Sequence, residues 1–384
     1  MNTAAKNNSS ARRIAFVSTL ESMPWGGCEE LWSRTARLLS TRGYVVGAST
    51  QWSPQKPAPL EALQRSGVEV TRRRVRAREK WLLGARAETK TFRWLDRFRP
   101  DLVVLSLDSQ CNGAAWMTAC ATKGLPYAII VQAAIEHLWP GDTLNLPLSQ
   151  GYQKARKIFC VSHRNLQWLQ TQFAHGLPQA TVVSQPFNVP REAAPVWPVN
   201  VSTLRLACVG RLDPVAKGHD ILFEVLRREK WRVRKMEVSL FGGGGYENSL
   251  RALATYFQLS NVEFAGTTSD VESIWRAHHA LVLPSRFEGL PLVIVEAMLC
   301  ARVCVVTDVA GNAELLEDNS SGFVARAPHA DFLDEALERC WQSWEKGELE
   351  SIGQNAARRV RELVPPEPAA VLADKIENLL YGKA

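Results

Sequence analysis

Short apolar runs alternate with longer stretches of helical periodicity along the chain. In the first half the runs are IAFVST (14–19), YVVGAS (44–49), VEV (68–70), LVVLSL (102–107), YAIIVQ (127–132), KIFCVS (157–162) and TVVSQ (181–185). Their Val and Ile content and brevity predict strands. Between them lie patterns such as EELWSRTARLLSTRG (29–43), which predicts a helix closed by a glycine. Strands that are apolar on both faces, alternating with helices, predict a parallel sheet covered on both sides.

The stretch PFNVPREAAPVWPVN (186–200) holds four prolines and no periodicity, as expected of a linker and hinge. The pattern then restarts with RLACVG (205–210), MEVSLFG (236–242), VEFAG (262–266), ALVLPS (280–285) and VCVVT (303–307). At 384 residues the chain is too long for one ordinary core. The expected fold class is therefore α/β, with two Rossmann-like doubly wound domains facing across a cleft. The expected boundaries are 1–187, a linker at 188–203, 204–365, and a last helical segment at 366–384. Ligands of such sheets bind beyond the carboxyl ends of the strands, so the loops there carry the chemistry.

Composition changes this picture little, and charge more. Hydrophobic residues make up 46% and charged residues 22%, as in ordinary globular proteins. The net charge of +7 is local. Residues 61–100 hold 12 Lys and Arg against 5 Asp and Glu, and taking these from 46 and 39 leaves 34 of each sign elsewhere. This window contains TRRRVRAREKW (71–81), which fits either a solvated helix face or a surface for anionic groups. Trp81, Phe92 and Trp94 interleave there with Arg78, Lys80, Arg86, Lys90 and Arg93, a mixture suited to anionic headgroups. No nucleic-acid motif accompanies the charge. The eight cysteines form no CxxC pair, which argues against zinc and for reduced core thiols. The N-terminal MNTAAKNNSSARR is polar and expected to be disordered, and no apolar run approaches the ~20 residues that span a bilayer. The expected location is cytoplasmic, with peripheral contact to the inner membrane face.

Four loops stand out. MPWGGCEELW (23–32) puts Gly26 and Gly27 at a helix start, where backbone amides approach an anion. VGRLDPVAKGHDIL (209–222) brackets a loop with Arg211, a fork, and Lys217, a point charge, suited to a diphosphate. FGGGGYENSL (241–250) does not fit the dinucleotide fingerprint, and no GxxxxGK[ST] occurs. SRFEGLPLVIVEAM (285–298) places Glu288 and the amides of Gly289 and Leu290 before a helix, with Pro291 in its first turn. Glu296 lies further in, and its helical neighbours Leu292, Val293, Leu299 and Cys300 are all apolar. A carboxylate there is best used lining a cleft and accepting hydrogen bonds from ligand hydroxyls.

These motifs resemble the retaining, nucleotide-sugar-dependent glycosyltransferases of the GT-B fold, family 4. The resemblance rests on Gly210, Arg211, Lys217 and Gly218, on the strand end Val262 to Gly266, on Glu288 and Glu296 seven residues apart, and on Gly26 and Gly27. It runs continuously from about 204 to 325. It implies that Glu288 binds the transferred sugar near its anomeric carbon and that Glu296 binds the ribose hydroxyls. It also implies that Arg211 and Lys217 neutralise the departing diphosphate with help from the Gly289 and Leu290 amides. The last helix would cross back to the first domain. No bound cofactor or metal is implied, the nucleotide-diphosphate sugar being a co-substrate, and no Asp-x-Asp occurs in the chain. The acceptor would be a glycan or lipid-linked molecule. Departures from the family pattern are Ala301 for a helix-ending glycine, Val303 for proline, and Ala310-Gly311 for a glycine pair. Where the family often has a functional histidine, the loop VQAAIEHLWPGD offers Gln132, with Glu136 and His137 beyond, so His137 is the acceptor-side candidate. A nucleotide-sugar epimerase, a phosphorylase, or a catalytically silent binding protein on the same scaffold are the alternatives.

Overall fold

The computed structural model describes residues 11–21, 23–74, 88–198 and 202–382, with backbone alone at 88–91. The polar residues 1–10, together with Arg76, Arg78, Lys80, Trp81 and Arg86, lie outside the described residues, as does the side chain of Lys90.

The first half is a seven-stranded parallel sheet of β1 (Arg13–Ser18), β2 (Val45–Gln51), β3 (Glu69–Arg73), β4 (Leu102–Leu107), β5 (Tyr127–Val131), β6 (Lys157–Cys160) and β7 (Ala180–Val182). Its order is β3-β2-β1-β4-β5-β6-β7. The second half is a six-stranded parallel sheet of β8 (Leu204–Val209), β9 (Met236–Phe241), β10 (Val262–Gly266), β11 (Ala280–Leu283), β12 (Val303–Thr307) and β13 (Phe323–Ala325), ordered β10-β9-β8-β11-β12-β13. In each sheet the strand order reverses beside the first strand, between β1 and β4 and between β8 and β11. The crevice beyond the carboxyl ends opens there.

Alternation along β1 shows how two faces are served at once. Ile14 and Phe16 pack under the helix Glu30–Thr41, through Leu31, Trp32 and Leu39. Ala15 and Val17 pack on the opposite face against Trp94, Leu95, Phe98 and Met117. Each large apolar side chain withdrawn from water in this way contributes about 1.5–3 kcal/mol.

Two expectations need correction, and one strand was not anticipated. β13 is a three-residue edge strand whose FVA lies between glycine and arginine, without the longer apolar run that marks the equally short β7. The described part of the basic stretch is strand, not helix. Arg72 lies opposite Thr50 and Arg73 opposite Gln51 in the β2–β3 ladder, and charged residues on such an edge strand deter further pairing. Phe92 and Trp94 belong to the core and leave the surface assigned to headgroups. Phe92 meets Trp116 edge-on with centroids 4.6 Å apart, and Trp94 stacks on Phe98 at 5.2 Å. Gly47 makes room for that stack, since a Cβ there would lie 2.7 Å from Phe98 and 2.8 Å from Trp94.

The proline-rich crossing is fastened rather than loose. Arg302, 1% exposed, donates to the carbonyls of Trp275 (2.6 Å), His278 (2.8 Å), Cys300 (2.9 Å) and Val196 (2.8 Å). Arg191 donates to Val364 O (2.8 Å) and Arg361 O (2.6 Å). The C-terminal helix Pro368–Leu380 packs on the helix Glu30–Thr41: Thr35 Oγ1 donates to Ala369 O at 3.3 Å, and Arg42 pairs with Asp374 (2.7 Å) and Glu377 (3.1 Å). Ala301 and Ala310, where glycines were expected, take φ of 55° and 45°. The left-handed turn is kept although alanine pays roughly 1 kcal/mol for it.

Candidate active site

The loops after β8 and β11 build the centre of the site. Asp213 Oδ1 accepts from Val215 N at 3.1 Å and caps the short turn Pro214–Lys217. Gly218 follows with φ 65°, and a Cβ on it would strike the carbonyl of Pro284. Only glycine lets these two loops touch. Arg286 then clamps them: it grips Asp220 through both carboxylate oxygens at 2.6 Å, donates to Pro214 O at 2.7 Å, and its amide donates to Ala216 O at 2.8 Å. Within this frame Lys217 Nζ donates to Glu288 Oε1, and Ser285 Oγ donates to the same oxygen at 2.7 Å. Arg211 pairs with Asp213 of its own loop at 3.0 Å. Pro291 stands one position earlier than expected, as the N-cap of the helix Leu292–Leu299, so Glu288, Gly289 and Leu290 form the loop leading into it.

The first half meets this centre closely. A Cβ on Gly289 would collide with the carbonyl of Gln132 at the end of β5, and one on Gly27 would come within 3.3 Å of Leu292. His137 is exposed, and its ring faces Phe287, the neighbour of Glu288, at 5.4 Å. Gln132 has both ends of its amide engaged, donating to Ser106 Oγ (3.1 Å) and accepting from Gln185 (2.6 Å). Glu314 of the second half caps the first-half helix His163–Phe173, accepting from His163 N (3.0 Å) and Arg164 N (2.7 Å). A carboxylate suits that positive helix end.

Of the residues singled out in the sequence, Lys217, Glu288, Gly289 and Leu290 come together, with Gly27 and His137 opposite them. Gly26 is the N-cap of the turn that starts the first helix. Gly266 stands apart at the end of β10, φ 75°, where its carbonyl accepts from Gly242 N at 2.7 Å. The four-glycine run serves that same layer: a Cβ on Gly242 would strike the Gly210 carbonyl, and one on Gly244 the Leu212 carbonyl. Glu296 is 4% exposed. Its Oε1 accepts from Asn188 N (2.9 Å) and Asn188 Nδ2 (2.7 Å). Burial pushes its carboxyl up and the Asn188 hydrogen bonds pull it back.

A polar floor under the first-half loop was missed in the sequence. Glu29 is 3% exposed, accepts from Ser18 Oγ at 2.7 Å, and is raised to about 7 by burial, against that hydrogen bond. Arg73 donates to Ser49 O at 2.9 Å and to Ser18 O, with its charge felt at Glu29. Asp108 accepts from Thr19 Oγ1 and Asn112 Nδ2, each at 2.7 Å. Burial, then Glu29 and Asp108, push the Cys28 thiol well up, and Arg211 from the second half pulls it down. Nothing local marks Arg73 among three consecutive arginines. Glu29 left a fainter trace: it stands three residues before Trp32, on the buried side of the helix.

Residues 203–343 match the family model described as Glycosyl transferases group 1, and residues 25–188 match Glycosyltransferase Family 4. An uncharacterized glycosyltransferase of Methanocaldococcus jannaschii is 30% identical over 131 residues, covering 34% of this chain and 36% of that protein. The N,N'-diacetylbacillosaminyl-diphospho-undecaprenol alpha-1,3-N-acetylgalactosaminyltransferase of Campylobacter jejuni is 30% identical over 116 residues, covering 30% of each. The chain thus spans about a third of the length of these relatives. In fold it is similar to Anabaena HepE in complex with UDP, with a TM-score of 0.74 and 18% identity over 96% of this chain and 100% of that one. The two facing parallel sheets are the GT-B arrangement.

Proposed function

Because the chain belongs to the family 4 glycosyltransferases, we propose that it moves a sugar from a nucleoside-diphosphate donor to a glycan or lipid-linked acceptor, with retention at the anomeric carbon and without a divalent metal. The observation that carries this reading is the convergence of Lys217 Nζ and Ser285 Oγ on Glu288 Oε1, in two loops locked by Arg286 and Asp220. In the reaction the bond from the anomeric carbon to the diphosphate oxygen breaks, the oxygen of an acceptor hydroxyl bonds to the same face of the sugar, and the hydroxyl proton passes to the departing diphosphate. Lys217 and Arg211 stabilise the negative charge gathering on the leaving diphosphate, with the Gly289 and Leu290 amides assisting. Glu288 holds hydroxyls of the transferred sugar, Glu296 holds the ribose, and His137 stands on the acceptor side. Fixed positive charge in a largely buried site does the work that a metal held by Asp-x-Asp does elsewhere.

Support for the donor class comes from HepE, whose structures include complexes with UDP and UDP-glucose. Support for a lipid-linked acceptor comes from the name of the Campylobacter relative. The test is a thermal-unfolding screen of nucleoside diphosphates and their sugars, followed by transfer assays in EDTA and assignment of the product anomer. Stabilisation by one nucleotide sugar, transfer that survives EDTA and a retained anomer are expected. An inverted product, or activity lost in EDTA and restored by magnesium or manganese, overturns the corresponding part.

A further inference from the structure

The ribose-side carboxylate is bound into the segment that joins the two halves. Both donors of Asn188, its amide N–H and its Nδ2, converge on Glu296 Oε1. Among the described residues, Glu296 Oε2 takes no hydrogen bond. Asn188 is held in turn by Arg34, whose Nη2 donates to Asn188 Oδ1 and whose Nη1 donates to the neighbouring Phe187 carbonyl at 2.9 Å. Arg34 Nε donates to Glu30 Oε2 at 3.1 Å, and Trp25 Nε1 donates to Glu30 Oε1 at 2.9 Å. An unbroken set of hydrogen bonds therefore runs from the Trp25-Gly26-Gly27 loop of the first half, through the crossing segment, to the helix Leu292–Leu299 of the second.

We infer that Asn188, steered by Arg34, is a positioning residue that aims Glu296 at the nucleotide ribose, so that one carboxylate serves both nucleotide grip and the joining of the two halves. This rests on the ribose role given to Glu296 above. Two donors on one oxygen fix the rotamer of a buried carboxylate and favour the charged form, which accepts hydroxyl hydrogens, against the burial that raises it. They also leave the second oxygen for the ligand. The charged groups that face Glu296 are Arg34 and Glu30, both on the first-half helix. On its own helix the buried Cys300 thiol, pushed up to about 12, stays neutral. Arg34 and Asn188 favour the carboxylate, whereas Glu30 and burial oppose it. Loss of Asn188 therefore moves the Glu296 carboxyl upward, and nucleotide affinity then falls as the pH is lowered.

The test uses the full chain and whichever of UDP, GDP or ADP most raises the unfolding temperature of the wild type. Its affinity is measured by calorimetry for the wild type, Asn188→Ala, Arg34→Met and Glu296→Ala, between about pH 8 and 6, with donor kcat and KM measured alongside. Loss of one hydrogen bond to a charged group predicts about tenfold weaker binding in Asn188→Ala. The weakening should grow toward low pH, with KM raised and kcat within about twofold. Arg34→Met should shift both readouts in the same direction by less. If Glu296→Ala weakens binding while Asn188→Ala leaves affinity and its pH dependence unchanged, the positioning inference falls and the ribose role stands. If Glu296→Ala binds as the wild type does, the ribose role itself fails. A lower unfolding temperature in Asn188→Ala, with no pH-dependent change in affinity, overturns the inference in favour of a purely structural contact.

Discussion

Replacing Glu288 by glutamine separates two roles that the Lys217–Glu288 pair otherwise combines. The side chains are 18% and 10% exposed, so water and salt screen the pair weakly. Glutamine keeps the size of the side chain and an acceptor for Ser285 Oγ, but leaves Lys217 without its counter-charge. For turnover, the charge beside the reacting sugar is lost. Deleting one preorganised electrostatic group of this kind costs about 2.7–4 kcal/mol, or roughly 10²–10³ in kcat. For a nucleoside diphosphate alone the sign differs, because Lys217 is released from a carboxylate that competed for it. Binding should be unchanged or tighter, by up to about tenfold given the ~1.5–3 kcal/mol of a charge-assisted hydrogen bond. The assay pairs transfer kinetics with calorimetry of the nucleoside diphosphate, and an unchanged unfolding temperature shows that the fold is intact. A kcat within tenfold of the wild type refutes the role given to Glu288. Diphosphate affinity falling in step with kcat would instead make Glu288 part of the phosphate grip.

Three other outcomes follow from the structure. Glu29, raised from 4.5 to about 7 in the fold, ionises in the unfolded chain first. The native state thus binds the extra proton between about pH 4.5 and 7, and stability declines as pH rises through that window. Glu29→Gln should flatten this dependence and stabilise the protein above pH 7 by up to roughly 3 kcal/mol; parallel unfolding-temperature curves for variant and wild type from pH 4.5 to 8 would contradict it. Arg302→Met strips donors from six carbonyls, of which those of Trp275, His278, Cys300 and Val196 lie within 2.9 Å. At about 1–3 kcal/mol per buried orphan, the loss should be on the order of 4 kcal/mol or more in urea unfolding, and a loss below about 1 kcal/mol would rule out that account. Finally, Arg74, Arg93 and Arg97 are exposed, and reversible sedimentation with anionic vesicles at low salt is proposed, weakened when all three become serine. Equal binding to neutral vesicles defeats the membrane reading.

Much of this protein is written in local pattern. Strands β1, β4, β5, β11 and β12 are legible because a parallel strand buried on both faces must be a nearly unbroken apolar run. The diphosphate loop and the Glu288–Glu296 pair are legible for a related reason: loops beyond a doubly wound sheet hold chemistry, and a glutamate among apolar helical neighbours needs a use. What the sequence could not show depends on pairs far apart in the chain. Glu296 meets Asn188 across 108 positions and Asn188 meets Arg34 across 154, and no spacing rule reaches that far. The same holds for Glu314 on the helix His163–Phe173, for Arg302 on the crossing segment, and for Arg286 on Asp220. Phe92 and Trp94 could equally have faced water. The burial of Trp94 was decided by the space above Gly47, which exists only once β2 and the helix Glu88–Phe98 are packed together, and that of Phe92 by Trp116. Periodicity names the apolar face of an element, because neighbours along the chain set it. The partner that covers the face, or shares a carboxylate, is chosen by packing the two halves together, and only the tertiary structure contains that choice.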